Sequence, residues 1–142
     1  MELKSYYDFA ENDYLFFKAA VNNHLFANSM GAMAQNICER FIKHLINQYI
    51  KVDKTNLDEV TDILSTHNLN RLMSFWNAKA TYSLSAETVS KLQNINGYYF
   101  STKYPGDDAT VLTESDINEC VEAIDACKEN VDDIIASIRD NS

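Results

Sequence analysis

The stretch Ala34-Gln35-Asn36-Ile37-Cys38-Glu39-Arg40-Phe41-Ile42-Lys43-His44-Leu45-Ile46 decides the fold. At about 100° per residue, Met30, Met33, Ala34, Ile37, Cys38, Phe41, Ile42, Leu45, Ile46 and Tyr49 fill roughly half of a helix circumference or more. Glu39 edges one side of that arc, and Arg40 with His44 edges the other. An arc this wide exceeds what one neighbouring helix covers. It predicts an acidic helical bundle that self-associates, with a second copy of the chain covering what the bundle leaves bare.

Working outward, the helical pattern continues in both directions. Residues 2–24 read as a first helix, with Tyr7, Ala10, Tyr14, Phe17 and Val21 at alternating three- and four-residue spacing and Phe9, Phe16 and Ala20 on its flanks. Asn28-Ser29 offers an N-cap for the second helix, which runs to about Lys51, and the short connection makes the two antiparallel neighbours. Residues 52–66 are loop-like, with a short helix over Leu57–Leu64. Thr66-His67-Asn68-Leu69 opens a third helix, with Leu69, Leu72, Met73 and Trp76 as its stripe. Ser83 or Ser85 caps a fourth, Ala86 to Thr102, with Val89, Leu92, Ile95, Tyr99 and Phe100 on its core face, and Pro105-Gly106 ends it. Thr113-Glu114-Ser115-Asp116 is a capping-box start for the last helix. Its seam is Ile117, Cys120, Ile124, Cys127, Val131, Ile134 and Ile138.

Composition agrees with one helical domain over residues 1–142. There is one Pro, three Gly, and 46% apolar residues including eight Tyr and seven Phe. No apolar run reaches transmembrane length, and Met1-Glu2-Leu3-Lys4 leads straight into an amphipathic pattern, so a cytoplasmic protein without signal peptide or membrane contact is expected. The net charge of −9 is uneven: from Thr113 onward there are nine acidic and two basic residues. The acidity thus belongs to the last helix and leaves room for a basic site elsewhere. Cys38, Cys120 and Cys127 lie on apolar faces without a C-x-x-C spacing and read as core thiols, with no metal site and no cofactor expected.

No phosphate-binding Gly-rich loop, zinc-protease motif or calcium loop is present, and no Ser or Cys stands in an activating context. Arg40 and His44 share a helix face four residues apart, a spacing at which a histidine base and a phosphate-stabilising cation could cleave RNA. Glu39 and Lys43 form an i,i+4 pair in the favourable order. His67 reads as part of a helix start. Tyr98, Tyr99, Lys103 and Tyr104 combine aromatic rings with a cation, as suits bases and phosphates.

Three segments, in order, resemble the HEPN domain (higher eukaryote and prokaryote nucleotide-binding). Ala34-Gln35 through Glu39-Arg40 to Lys43 and Leu45-Ile46 is similar to the family's A-Q-x-x-x-E-K-x-x-K-x-L-I helix. Thr66-His67-Asn68-Leu69 with Leu72 resembles its T-H-[DN]-L-x-x-L segment. Tyr98-Tyr99 through Lys103-Tyr104-Pro105-Gly106, followed by the acidic helix, is similar to its Y-x-x-x-R-Y-P ending. Asp13-Tyr14 with Ala19-Ala20 suits the family's first helix, so the resemblance spans nearly the whole chain.

The resemblance implies an all-α, antiparallel up-and-down bundle of four to five helices that forms a homodimer. Family members act as substrate-binding partners of small nucleotidyltransferases and in toxin–antitoxin and defence systems. Many are metal-independent ribonucleases using R-x(4–6)-H. Here Arg40 and His44 have only three residues between them, and Lys103 stands where the family has Arg, keeping charge but losing the bidentate fork. The expected function is therefore a non-catalytic, dimeric nucleotide- or RNA-binding domain. Its expected ligand-binding residues are Glu39, Lys43, His67, Tyr99, Lys103 and Tyr104. The alternatives are a ribonuclease built on Arg40 and His44, and a structural helical adaptor.

Overall fold

The computed structural model describes residues 2–142; Met1 lies outside the described residues. These residues form seven helical segments and no strand: α1 (Tyr6–Asn22), α2 (Met30–Tyr49), α3 (Leu57–Leu64), α4 (Leu69–Lys79), α5 (Ala86–Gln93), α6 (Tyr98–Ser101) and α7 (Glu114–Asp140). None of these helices is long and apolar enough to cross a membrane.

Local chemistry sets the helix ends. The Ser5 hydroxyl accepts from the Asp8 N–H while the Asp8 carboxylate accepts from the Ser5 N–H, a capping box that starts α1 four residues later than the periodicity suggested. At its other end His24 turns left-handed (φ 56°), and the Leu25 N–H returns to the Ala20 carbonyl at 2.8 Å, closing a Schellman motif. Thr113 and Asp116 form the expected capping box of α7. Ser85, not Ser83, caps α5.

Side-chain pairs give the relative directions of several helices. Tyr7 and Tyr14 of α1 reach Asp132 and Asp125 of α7 at 2.6 and 2.7 Å, so these two helices are antiparallel. Asp62 and Glu59 of α3 pair with Arg71 and Lys79 of α4, again antiparallel. The α5 N-terminus meets Asn130 of α7 through the Ser85 N–H at 2.8 Å. One buried apolar cluster draws on α1 to α5 and α7.

Within this arrangement α2 is the central post. Ile37, Cys38, Phe41, Ile42, Leu45 and Ile46 are fully enclosed, against α1 on one side, α7 on another, and α3, α4 and α6 on the remainder. The wide arc is therefore covered by the chain itself, and the expectation that a second copy must cover part of it is corrected. Surface apolar residues lie elsewhere: Phe9 and Phe16, expected to widen the core stripe of α1, are exposed.

Two further expectations change. The single fourth helix is broken at Asn94–Gly97 into α5 and α6, with Gly97 left-handed at φ 104°. The break turns Phe100 out to solvent, 60% exposed rather than on the core face. Ser29 makes no capping bond to α2. Its neighbour Asn28 instead donates to the carbonyls of Thr102 and Thr110 and accepts from the Leu112 N–H at 2.7 Å, tying the 102–112 loop to the start of α2.

That loop packs onto Gly31. A Cβ there would stand 2.6 Å from Thr102 Cγ2 and 3.1 Å from Leu112 Cδ1. Thr102 cannot swing aside, because it is β-branched, buried, and donates its hydroxyl to the Tyr98 carbonyl at 2.7 Å. Gly31→Ala should thus destabilise by about 1–3 kcal/mol through overpacking, outweighing the roughly 1 kcal/mol that Ala gains over Gly inside a helix. Urea denaturation of the two proteins, read by far-UV circular dichroism, checks this.

Candidate functional site

Two successive turns of α2 carry three polar side chains into the interior: Gln35 and Glu39 are fully buried and Lys43 nearly so. Gln35 lies one heptad before Ile42, on the same stripe as Ile42 and Ile46, where an apolar residue belongs. Its amide uses both ends. Nε2 donates to the His67 carbonyl at 2.6 Å and to Glu39 Oε2 at 3.0 Å. Oε1 accepts from the N–H groups of Gly97 and Tyr99 at 3.0 and 2.7 Å. Two donors and two acceptors are all that an amide has, so this network also fixes which end is oxygen.

Glu39 Oε1 accepts from His67 Nδ1 at 2.9 Å, with Lys43 Nζ 3.7 Å away. A carboxylate only accepts, so His67 carries a proton on Nδ1 in this contact. The Lys43 ammonium is held below its ordinary pKa by burial, against which the Glu39 charge works. His67 in turn stacks on Tyr99, ring centroids 3.8 Å apart and planes 10° from parallel. Phe100 stands edge-on to both rings. Lys103 Nζ lies 4.4 Å from the Tyr99 centroid and 5.9 Å from that of Tyr104.

All six expected ligand-binding residues therefore fall on one chain of contacts, in two layers. Glu39 and Lys43, expected to touch a ligand, are enclosed and act on it only through His67. His67 and Tyr99 are half-buried, while Phe100, Lys103 and Tyr104 are exposed. Sequence reasoning missed Phe100 as a surface ring, because the unbroken fourth helix placed it in the core. It also left Gln35 without a role, although a polar residue inside the apolar arc was the available signal. Tyr98, half-buried, packs against the core, and burial raises its phenol.

No family model matches the chain, and no curated protein and no solved structure matches it either.

Arg40 and His44 do not converge. Arg40 pairs with Asp13 at 2.7 Å and lies 5.9 Å from the Phe9 ring centroid. His44 lies edge-on to Tyr7 and Tyr49, its Nδ1 buried without a hydrogen-bond partner. It lines a separate cleft with Arg139. Among the described residues no group of three or more His, Cys, Asp or Glu side chains could hold a metal ion. The three thiols are free and buried, and burial pushes those of Cys38 and Cys120 up, the latter to about 12.

Two outcomes are expected from these contacts. Gln35→Leu strands two backbone N–H groups, one carbonyl and part of the Glu39 carboxylate. At about 1–3 kcal/mol for each buried unpaired group, it should lose about 3 kcal/mol or more. Hydrogen exchange should show the loss as fast amides at Gly97 and Tyr99.

His44 sets a pH dependence. Burial lowers its pKa below 6.5, an effect that Asp8 opposes and the Arg139 charge adds to; Ser5, Tyr7, Tyr49 and Asp132 are the other polar groups facing it. A depressed folded-state pKa means the unfolded chain binds the proton first. Stability should thus fall as pH drops below 6.5 towards the folded pKa, by at most about 1.4 kcal/mol per unit from this group. His44→Phe should flatten that part of a urea-midpoint profile taken between about pH 7.5 and 5.

Proposed function

We propose that this chain is a HEPN-like, non-catalytic domain that binds a nucleotide or single-stranded RNA on the surface formed by His67, Tyr99, Phe100, Lys103 and Tyr104. The observation that carries the reading is the His67–Tyr99 stack with Lys103 over the same ring. Stacked rings with a cation over one of them, and the exposed Phe100 and Tyr104 rings beside them, suit a phosphate and its base. The three segments that resemble the family, far apart in sequence, also meet at this one place through Gln35. Gln35, Glu39 and Lys43 orient the surface from beneath.

The homodimer and the nucleotidyltransferase partner implied by the resemblance belong to the same proposal. With α2 enclosed, the exposed Phe9 and Phe16 on α1 are the surface offered to a second copy.

A second reading, the structural adaptor, is favoured by one observation: Glu39 is fully buried and bonded by its own chain. The two readings separate by titration. A fluorescein-labelled single-stranded RNA decamer should bind with an affinity that weakens with salt. Tyr99→Ala should weaken it about tenfold or more, as losing about 1–3 kcal/mol of stacking requires, and Lys103→Ala should lower the salt slope by about one contact. Fluorescence anisotropy that detects no binding, or binding indifferent to Tyr99, leaves the adaptor.

A further inference from the structure

A second site lies on the other side of α2, remote in contacts from the aromatic surface. Ser5 and Tyr7 of α1, His44 of α2, and Ile135, Ala136 and Arg139 of α7 line an open cleft of about 510 Å³. Two carboxylates, Asp8 and Asp132, also border it. Asp132 is engaged through both oxygens and Asp8 through one. Asp8 Oδ2 accepts from the Lys4 and Ser5 N–H groups at 3.0 and 3.1 Å. Asp132 accepts from the Tyr7 hydroxyl at 2.6 Å and from Lys128 Nζ at 2.8 Å.

The donors are not spoken for. Arg139 makes no ion pair among the described residues. The Ser5 oxygen accepts from the Asp8 N–H, which leaves its own proton free. His44 Nδ1 is sealed from solvent with no partner. A proton there would be an orphaned buried donor, so the ring is neutral with its proton on Nε2, the edge that remains to face the cleft. The cleft therefore combines acceptors that are satisfied except for one Asp8 oxygen, three unsatisfied donors, and an apolar wall of Ile135, Ala136 and the Tyr7 ring.

We propose that this cleft binds a small organic monocarboxylate, its carboxylate on Arg139 with the His44 Nε2–H and Ser5 hydroxyl, and its apolar body on Ile135 and Ala136. A guanidinium matches a carboxylate in geometry and charge. The bordering Asp8 and Asp132 disfavour a doubly charged ligand, which sets a carboxylate above a phosphate dianion.

The test is side-chain nitrogen NMR of the full chain, reading the His44 ring at pH 7.5 against benzoate and, separately, inorganic phosphate. The expected spectrum has the His44 proton on Nε2, and benzoate moves that resonance saturably in the millimolar range. Arg139→Ala weakens benzoate about tenfold or more, the size of one charge-assisted hydrogen bond, and Arg139→Lys recovers part of it. Lys103→Ala leaves the titration unchanged, which keeps the outcome independent of the aromatic surface. A proton on Nδ1, no shift up to about 50 mM benzoate, a benzoate shift undiminished in Arg139→Ala, or tighter binding of phosphate than of benzoate each overturns the proposal.

Discussion

The amide of Gln35 is the constraint on which this structure depends. It stands inside the most buried helix, where an unpaired amide is costly, and every hydrogen-bonding position on it is filled. The partners come from three places: the His67 turn before α4, the Gly97–Tyr99 turn before α6, and Glu39 one turn along α2. Each partner needs Gln35 as much as Gln35 needs it, since the two N–H groups and the carbonyl belong to turns whose backbone has no helical partner there. The break between α5 and α6 exists because Gly97 adopts a left-handed conformation and Gln35 receives the freed donors. Asn96 adds to this by accepting from the Leu69 N–H at 2.9 Å, coupling the same turn to the α4 start.

From that knot the polar chain runs outward through Glu39 to His67, Tyr99 and Lys103. Burying Glu39 and Lys43 together is tolerable because each offsets the other's charge and the carboxylate gains two further donors. The benefit is orientation: a ring whose Nδ1 is anchored on a buried carboxylate has a fixed plane, and that plane sets the stack. The aromatic surface is thus held rigidly from below while its outer residues, Phe100, Lys103 and Tyr104, stay free.

The other side of α2 is organised by tyrosines. Tyr7 and Tyr14 donate to Asp132 and Asp125, and burial with those carboxylates raises both phenols to about 12. Lys18 and Lys128 join the same carboxylates at 2.7 and 2.8 Å. Part of the acidity of α7 therefore serves the α1–α7 seam, and the remainder faces solvent. With Asp132 occupied in this way, and Asp8 held by two backbone N–H groups, the cleft beside His44 is left with an excess of free donors.

Sequence alone determined the helical class, the central place of α2 and the seam of α7, because an apolar stripe at helical period is a local property of the chain. Ile37, Phe41, Ile42 and Leu45 announce burial wherever the partners come from. The capping box at Thr113 was legible for the same reason, and the one at Ser5 and Asp8 had a local signature that went unread. The tertiary structure alone decided where polar residues stand, since a polar side chain inside an apolar arc is stable only if distant backbone groups arrive to meet it. It turned Gln35 into a bridge, enclosed Glu39 and Lys43, broke the fourth helix at Gly97, swung Phe100 to the surface and gave His44 to Arg139 rather than Arg40. None of these is a local preference. Gln35 and Glu39 depend on hydrogen-bond partners tens of residues away, and the others on which elements pack beside them, all of which are fixed only when the helices have packed.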